Sequence, residues 1–146
     1  LLNSLRSYVD RSRASGVMQV AAGTLSDERL RELASAYAHQ PREATAPLQQ
    51  DGELVEKGRA LARHGRVEDR VPACLTCHER PDGNPAYPRL SGQTSAYLKR
   101  QLHLFQAGSR GGSQYHHLMN EAAKGLTPQD IDALAAYFAG RDPAQP

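Results

Sequence analysis

Cys74-Leu75-Thr76-Cys77-His78 is the stretch whose residue types and spacing could do redox chemistry. Two thiols separated by two residues can each add to one vinyl group of a porphyrin, forming two thioethers, and the imidazole that follows is then held under the iron. The pattern predicts one c-type haem per chain, tethered through Cys74 and Cys77, with His78 ligating through Nε2. Thioredoxin-like sites and zinc knuckles use the same cysteine spacing. The first needs a βαβ setting that a helical chain lacks. The second needs two further ligands from another cluster, and these are the only two cysteines in 146 residues. Two cysteines also close at most one cross-link, so a disulfide-stapled scaffold is excluded.

A low-spin carrier needs a sixth ligand, and a thioether raises the reduction potential relative to a second imidazole because it favours Fe(II). The chain has two methionines, Met18 and Met119. Met119 lies in the Gly-rich stretch from Gly111-Gly112-Ser113 to Asn120, expected as a loop that wraps across a haem face, and is the expected ligand. The alternative makes Met119 core filler and gives the position to His116 or His117, a bis-His haem of lower potential. Arg110 is a candidate donor to a haem propionate, because a guanidinium matches a carboxylate in bidentate fashion; the plainer reading is a solvated loop arginine. Pro85 or Pro88 could offer a carbonyl to Nδ1 of His78, fixing the ring and tuning its basicity. His39, His64 and His103 read as helix-surface residues.

The elements that must position these groups read as helices, with none of the period-two alternation of a half-buried strand. Thr127-Pro128-Gln129-Asp130 sets a hydroxyl at N-cap, Pro at the first helical position and a carboxylate three residues on. Ile131, Leu134, Ala135 and Phe138 then form one apolar stripe, ending at Gly140. Ser26 caps a similar helix bearing Leu30, Leu33, Ala34 and Tyr37, and Thr94 begins one bearing Tyr97, Leu98, Leu102 and Phe105. A further helix over 52–63 carries Gly58, where a missing side chain would let another helix, that of 128–139, cross closely.

The stripe of Leu30, Leu33, Ala34 and Tyr37 and that of Ile131, Leu134, Ala135 and Phe138 repeat at an offset of 101 residues, as do Met18 and Met119. Leu1, Leu5, Tyr8 and Ser12-Arg13 repeat as Leu98, Leu102, Phe105 and Ser109-Arg110 at an offset of 97. Residues 1–40 are thus expected to be the second half of a unit that recurs complete over 52–141, with the polar, proline-bearing 41–51 as linker. Met18 then reads as an exposed or repacked methionine, or as one that docks against a haem of a neighbouring chain.

Lys and Arg number 18 against 16 Asp and Glu, a net charge of +2 with no basic block, so nucleic-acid binding is not expected. No run of eighteen apolar residues exists, so no membrane span is expected. The start at Leu1 reads as a processed form or a fragment, with any export signal upstream. No Trp and 5% aromatics leave little material for a core, so a cofactor is expected to fill the middle.

With the motif, the methionine and the last helix in place, residues 52–140 resemble class I cytochromes c, and among them the dihaem c4-type bacterial periplasmic cytochromes. The likeness rests on Cys74 to His78, Tyr87-Pro88-Arg89-Leu90-Ser91-Gly92-Gln93, Tyr97-Leu98, Gln101-Leu102, Phe105 with Gly108 and Arg110, Met119, and Leu126 through Ala135-Ala136-Tyr137-Phe138. It departs in carrying one attachment motif where that family has two. The resemblance implies an all-α bundle around the haem with its first and last helices crossing, electron transfer without catalysis, membrane oxidases or quinol-oxidising complexes as partners, and a bacterial periplasm. Candidate cofactor-binding residues are Cys74, Cys77, His78, Met119, Arg110, Pro88, Tyr97 and Gln93. The alternatives are an electron-transfer domain of a larger multihaem or fused oxidoreductase, an open-site haem with peroxidase or gas-binding activity, and a bis-His sensor. An uncovered stripe of Leu30, Leu33 and Tyr37 should seek cover, and a homodimer through the partial repeat would supply it.

Overall fold

The structure, a computed structural model, describes residues 1–40, 52–80, 83–84 and 86–142. These form α1 (Leu2–Val9), α2 (Gly16–Gly23), α3 (Asp27–Ala38), α4 (Gly52–His64), a 3-10 turn (Val67–Asp69), α5 (Leu75–His78), α6 (Ser95–Gln106), α7 (His116–Lys124) and α8 (Pro128–Ala139). Among the described residues there is no strand, in line with the all-α expectation. The expected linker over 41–51 lies outside the described residues.

The starts of α3, α6 and α8 follow the side-chain oxygens that satisfy otherwise orphaned N–H groups. Ser26 Oγ accepts from the Arg29 amide at 3.3 Å and Thr94 Oγ1 from that of Tyr97 at 3.4 Å. At α8 the reciprocal box is complete: Thr127 Oγ1 accepts from Asp130 N and Asp130 Oδ2 from Thr127 N.

Packing centres on α8, which buries Ala133, Ala136 and Tyr137 in addition to its expected stripe. One face meets α6 and another meets α4, which crosses it at Gly58. A Cβ built on Gly58 would stand 2.0 Å from the carbonyl oxygen of Ala133 and 2.8 Å from Tyr137 Cβ. Only glycine fits that crossing. Leu61, Val71, Leu98, Phe105, Ile131 and Phe138 fill the core around it.

Past α4, Gly65 turns left-handed (φ +65°) where a side chain would run into the Val71 carbonyl. Arg66 and Val71 then exchange backbone hydrogen bonds of 2.7 and 3.0 Å, closing a loop over the 3-10 turn. The Arg66 guanidinium reaches Asp130 at 2.7 and 3.1 Å, the Gly125 carbonyl at 3.2 Å, and Asp69. Those bonds tie the end of α4 to the start of α8.

Residues 116–120, expected as part of a loop, are helical, within α7. Leu118, Met119, Ala122 and Ala123 recur at helical spacing, and the turn over 113–115 begins the helix without a side-chain cap, so no cap signal announces it.

At the other end of the chain, α1, α2 and α3 follow one another as α6, α7 and α8 do, with α1 packed on α2 and α3. Of the expected α3 stripe only Leu30 is buried; Leu33 is 38% and Tyr37 59% exposed. α8 is also covered by α4 on the face of Ala133 and Tyr137, and no described helix takes the corresponding place over α3.

Two outcomes follow for the holoprotein. Gly58→Ala should lower stability in denaturant unfolding by about 1–3 kcal/mol or more, the range for overfilling a packed contact, because the atoms it meets are backbone and cannot rotate away. The Asp130 carboxyl is held at about 2 against an ordinary 3.8, first by its hydrogen bonds from Arg66 and then by the cap. A depressed carboxyl contributes stability above its unfolded value and loses it as pH falls through its folded one. Asp130→Asn should therefore cost about 1 kcal/mol for the weakened cap near neutral pH, with the difference from the parent chain closing between about pH 4 and pH 2.

Candidate haem site

The loop closed by Arg66 and Val71 leads through Pro72 into α5, a single helical turn that sets Cys74 and His78 one turn apart, the His78 amide donating to the Cys74 carbonyl at 3.1 Å. No disulfide joins Cys74 to Cys77. Cys77 is exposed, whereas burial pushes the Cys74 thiol up to about 11.

His78 is buried, and its Nδ1 lies 2.7 Å from the Pro88 carbonyl oxygen. In the tautomer with the proton on Nδ1 that nitrogen donates to Pro88, and Nε2 keeps a free lone pair for a metal. Burial holds the ring below its ordinary value, partly opposed by the Pro88 contact. The imidazole is thus neutral near pH 7, as ligation requires. Pro85, the other carbonyl considered, lies outside the described residues.

The Pro88 carbonyl is itself clamped. Glu79 Oε1, just past α5, accepts from the amides of Leu90 and Ser91 at 3.1 Å each. The Gly92 amide donates to the Phe138 carbonyl at 3.0 Å, and Arg141 donates to Ser91 Oγ and Tyr137 Oη. Tyr87 sits beside His78, with ring centroids 6.3 Å apart, and stacks edge-on with Tyr115 at the start of α7. Glu79, Arg141 and Tyr115 were not singled out in the sequence. The spacing of a carboxylate eleven residues before the amide it accepts from carries no recognisable signal.

Between these walls lies a cavity of about 460 Å³. Cys74, Cys77, His78, Pro88, Gln93, Tyr97, Arg110 and Met119, all eight candidate residues, line it, and most of the remaining lining is apolar, including Leu98, Phe105, Leu134 and Phe138. Met119 enters it from α7, packed against the hydrophobic core. His116 also lines it, with Nδ1 2.6 Å from the Ser113 carbonyl, while His117 is exposed and Met18, half-buried on α2, is not among the lining residues. Among the described residues no three His, Cys, Asp or Glu side chains gather as a metal site, which leaves no second cluster for tetrahedral zinc.

The residues present fit a haem: two thiols beside an apolar cavity, a neutral imidazole with its outer nitrogen fixed, and a guanidinium for a propionate. Cys74 and Cys77 would tether the group and His78 would ligate it.

The comparisons with known proteins agree with that chemistry. The family model for cytochrome c matches residues 55–141. Cytochrome c4 of Azotobacter vinelandii is 38% identical over 118 residues, covering 79% of this chain; the chain spans only 55% of that relative's length. The crystal structure of reduced recombinant cytochrome c4 from Pseudomonas stutzeri superposes with a TM-score of 0.84 at 30% identity, over 97% of this chain and 80% of that one. The thiosulfate dehydrogenase TsdBA from Marichromatium purpuratum superposes with a TM-score of 0.83 at 32% identity, over 97% of this chain and 30% of that one. A family model matched along most of the chain, over a helical cavity lined by the attachment cysteines and their histidine, establishes that this chain belongs to the cytochrome c family.

Proposed function

We propose that the chain is a one-electron carrier that holds a single covalent haem c through thioethers at Cys74 and Cys77, with His78 and Met119 as axial ligands. The observation that carries this reading is the convergence on one apolar cavity of both cysteines, a buried imidazole anchored at Nδ1 by Pro88, and a core-packed methionine from α7. When bound, the haem supplies a one-electron couple, and no substrate bond is made.

The chain's own groups do the tuning. Pro88 and the Glu79 clamp fix the plane and basicity of His78. The apolar lining excludes water and keeps the surroundings from reorganising strongly when charge changes. Met119 is favoured over His116 because its thioether packs against the core from the interior face of α7, and because Met18 holds the equivalent place in the repeat. Among the described residues no helix is long and apolar enough to cross a membrane. Attachment of haem to this motif implies export before maturation, so we place the protein in a bacterial periplasm, exchanging electrons with an oxidase, a quinol-oxidising complex or another redox protein. No catalytic residue is assigned.

The structural match to part of thiosulfate dehydrogenase TsdBA favours a second reading, in which this chain is the electron-transfer portion of a larger oxidoreductase. Intact mass of the polypeptide purified from its native source separates the two.

The primary test is the denatured mass and optical spectrum of one holoprotein sample. A gain of one haem that survives denaturation is expected, together with the far-red band of methionine-ligated Fe(III). Met119→Ala should abolish that band and lower the reduction potential while leaving the covalent mass unchanged. Absence of the band in the parent holoprotein would return the sixth position to His116, its persistence in Met119→Ala would assign the position to Met18, the other methionine, and absence of covalent haem would sink the carrier reading.

A further inference from the structure

Arg13 belongs to the partial repeat, yet its side chain ends in the cavity of the other unit. It is 5% exposed. Its Nη2 donates to Tyr97 Oη and to Gln101 Oε1, both at 2.9 Å and both on α6. The guanidinium carbon lies 4.9 Å from the centre of the Tyr8 ring.

The backbone around it forms a seam between the two units. Arg13 and Arg110 face each other in an antiparallel bridge. The Ala14 amide donates to the Ser109 carbonyl at 3.1 Å, and the Gly111 amide to the Ser12 carbonyl at 2.7 Å. At the repeat offset of 97, each of these bonds is the counterpart of the other, so the seam has a local two-fold relation with Arg13 and Arg110 as equivalent members. The relation extends to the side chains: Arg110 lies over Phe105 at 4.3 Å, as Arg13 lies over Tyr8. The approach is close, since a Cβ on Gly111 would stand 2.5 Å from the Ser12 carbonyl oxygen and one on Gly112 2.1 Å from Ser7 Cβ.

This arrangement brings two arginines to one cavity, Arg13 buried and Arg110 half-buried. Both line the cavity. Burial, and then the charge of Arg13, lower Arg110 to about 10. Among the described residues no carboxylate lies within ion-pair distance of either. Tyrosine and glutamine oxygens satisfy hydrogen bonds but leave the charge uncompensated, and buried cations without an anion are strongly unfavourable. The missing negative charge therefore has to come from whatever fills the cavity.

We propose that Arg13 is a positioning residue for the haem of residues 52–141, joining Arg110 across the seam to form a two-guanidinium site for a haem propionate. This rests on the haem reading above. Through Arg13 the partial repeat supplies part of the electrostatic environment of a haem attached elsewhere in the chain. Removing a positive charge beside the haem favours the oxidised form, so the potential responds to a residue that makes no contact with the iron.

The test is spectroelectrochemistry of the full-chain holoprotein. Arg13→Gln should shift the reduction potential downward with the covalent haem and the far-red band intact, while Arg13→Lys, which keeps the charge, should recover most of the shift. Arg13→Leu preserves the bulk over Tyr8 and serves where Arg13→Gln does not accumulate. Arg29→Gln, an exposed charge on α3, is the control and should leave the potential unchanged. An unchanged potential in the neutral variants, or an equal fall in Arg13→Lys, overturns the proposal and leaves Arg13 as a purely structural brace. Parent protein without covalent haem would instead overturn the reading on which it rests.

Discussion

Where α4 crosses α8, the Ala133 carbonyl occupies the space in which a side chain at position 58 would begin. A contact between two helix backbones with nothing interposed fixes both their separation and their rotation, because neither surface can yield as a side chain would. The end of α4 therefore arrives at a defined point near the start of α8, where Arg66 can span to Asp130, Gly125 and Asp69 at once. The loop that carries Cys74, Cys77 and His78 toward the cavity hangs from that lock. The placement of the attachment motif thus depends on a glycine sixteen residues before its first cysteine.

A second layer of constraint acts on His78 from the far side. The imidazole needs one nitrogen committed so that the other can face a metal, and the Pro88 carbonyl takes that role only because the segment after it is held by Glu79 and by the Phe138 carbonyl. Glu79 adjoins α5 and Phe138 lies on α8, so the segment is referred to both elements that define the cavity. The cavity itself is what a chain with no tryptophan and two phenylalanines makes when a large apolar group, rather than its own side chains, must complete the core.

The seam between the units shows how a repeat can be put to use. Equivalent residues Arg13 and Arg110 meet across a local two-fold, a relation in which each contact is made twice. Each arginine rests on an aromatic ring of its own unit, which limits the entropy lost in holding a long side chain still. The exposed apolar residues Val17, Val20, Leu33 and Tyr37 all lie on helices of the first unit.

The sequence by itself determined the attachment chemistry and the capped helix starts. A C-x-x-C-H string names its cofactor through covalent reactivity that needs only local spacing, and the box at Thr127 and Asp130 closes within four residues. Gly58 and the α8 stripe were legible for the same reason, since periodicity is a local property of the chain. The helix carrying Met119 was not, because its start lacks a side-chain cap and follows glycines that read as loop. The Glu79 clamp, the reach of Arg66 to Asp130 and the passage of Arg13 into the cavity of the other unit were decided by tertiary structure alone. Each joins residues between 11 and 88 positions apart, and a hydrogen bond over such a separation exists only after packing has set the distance.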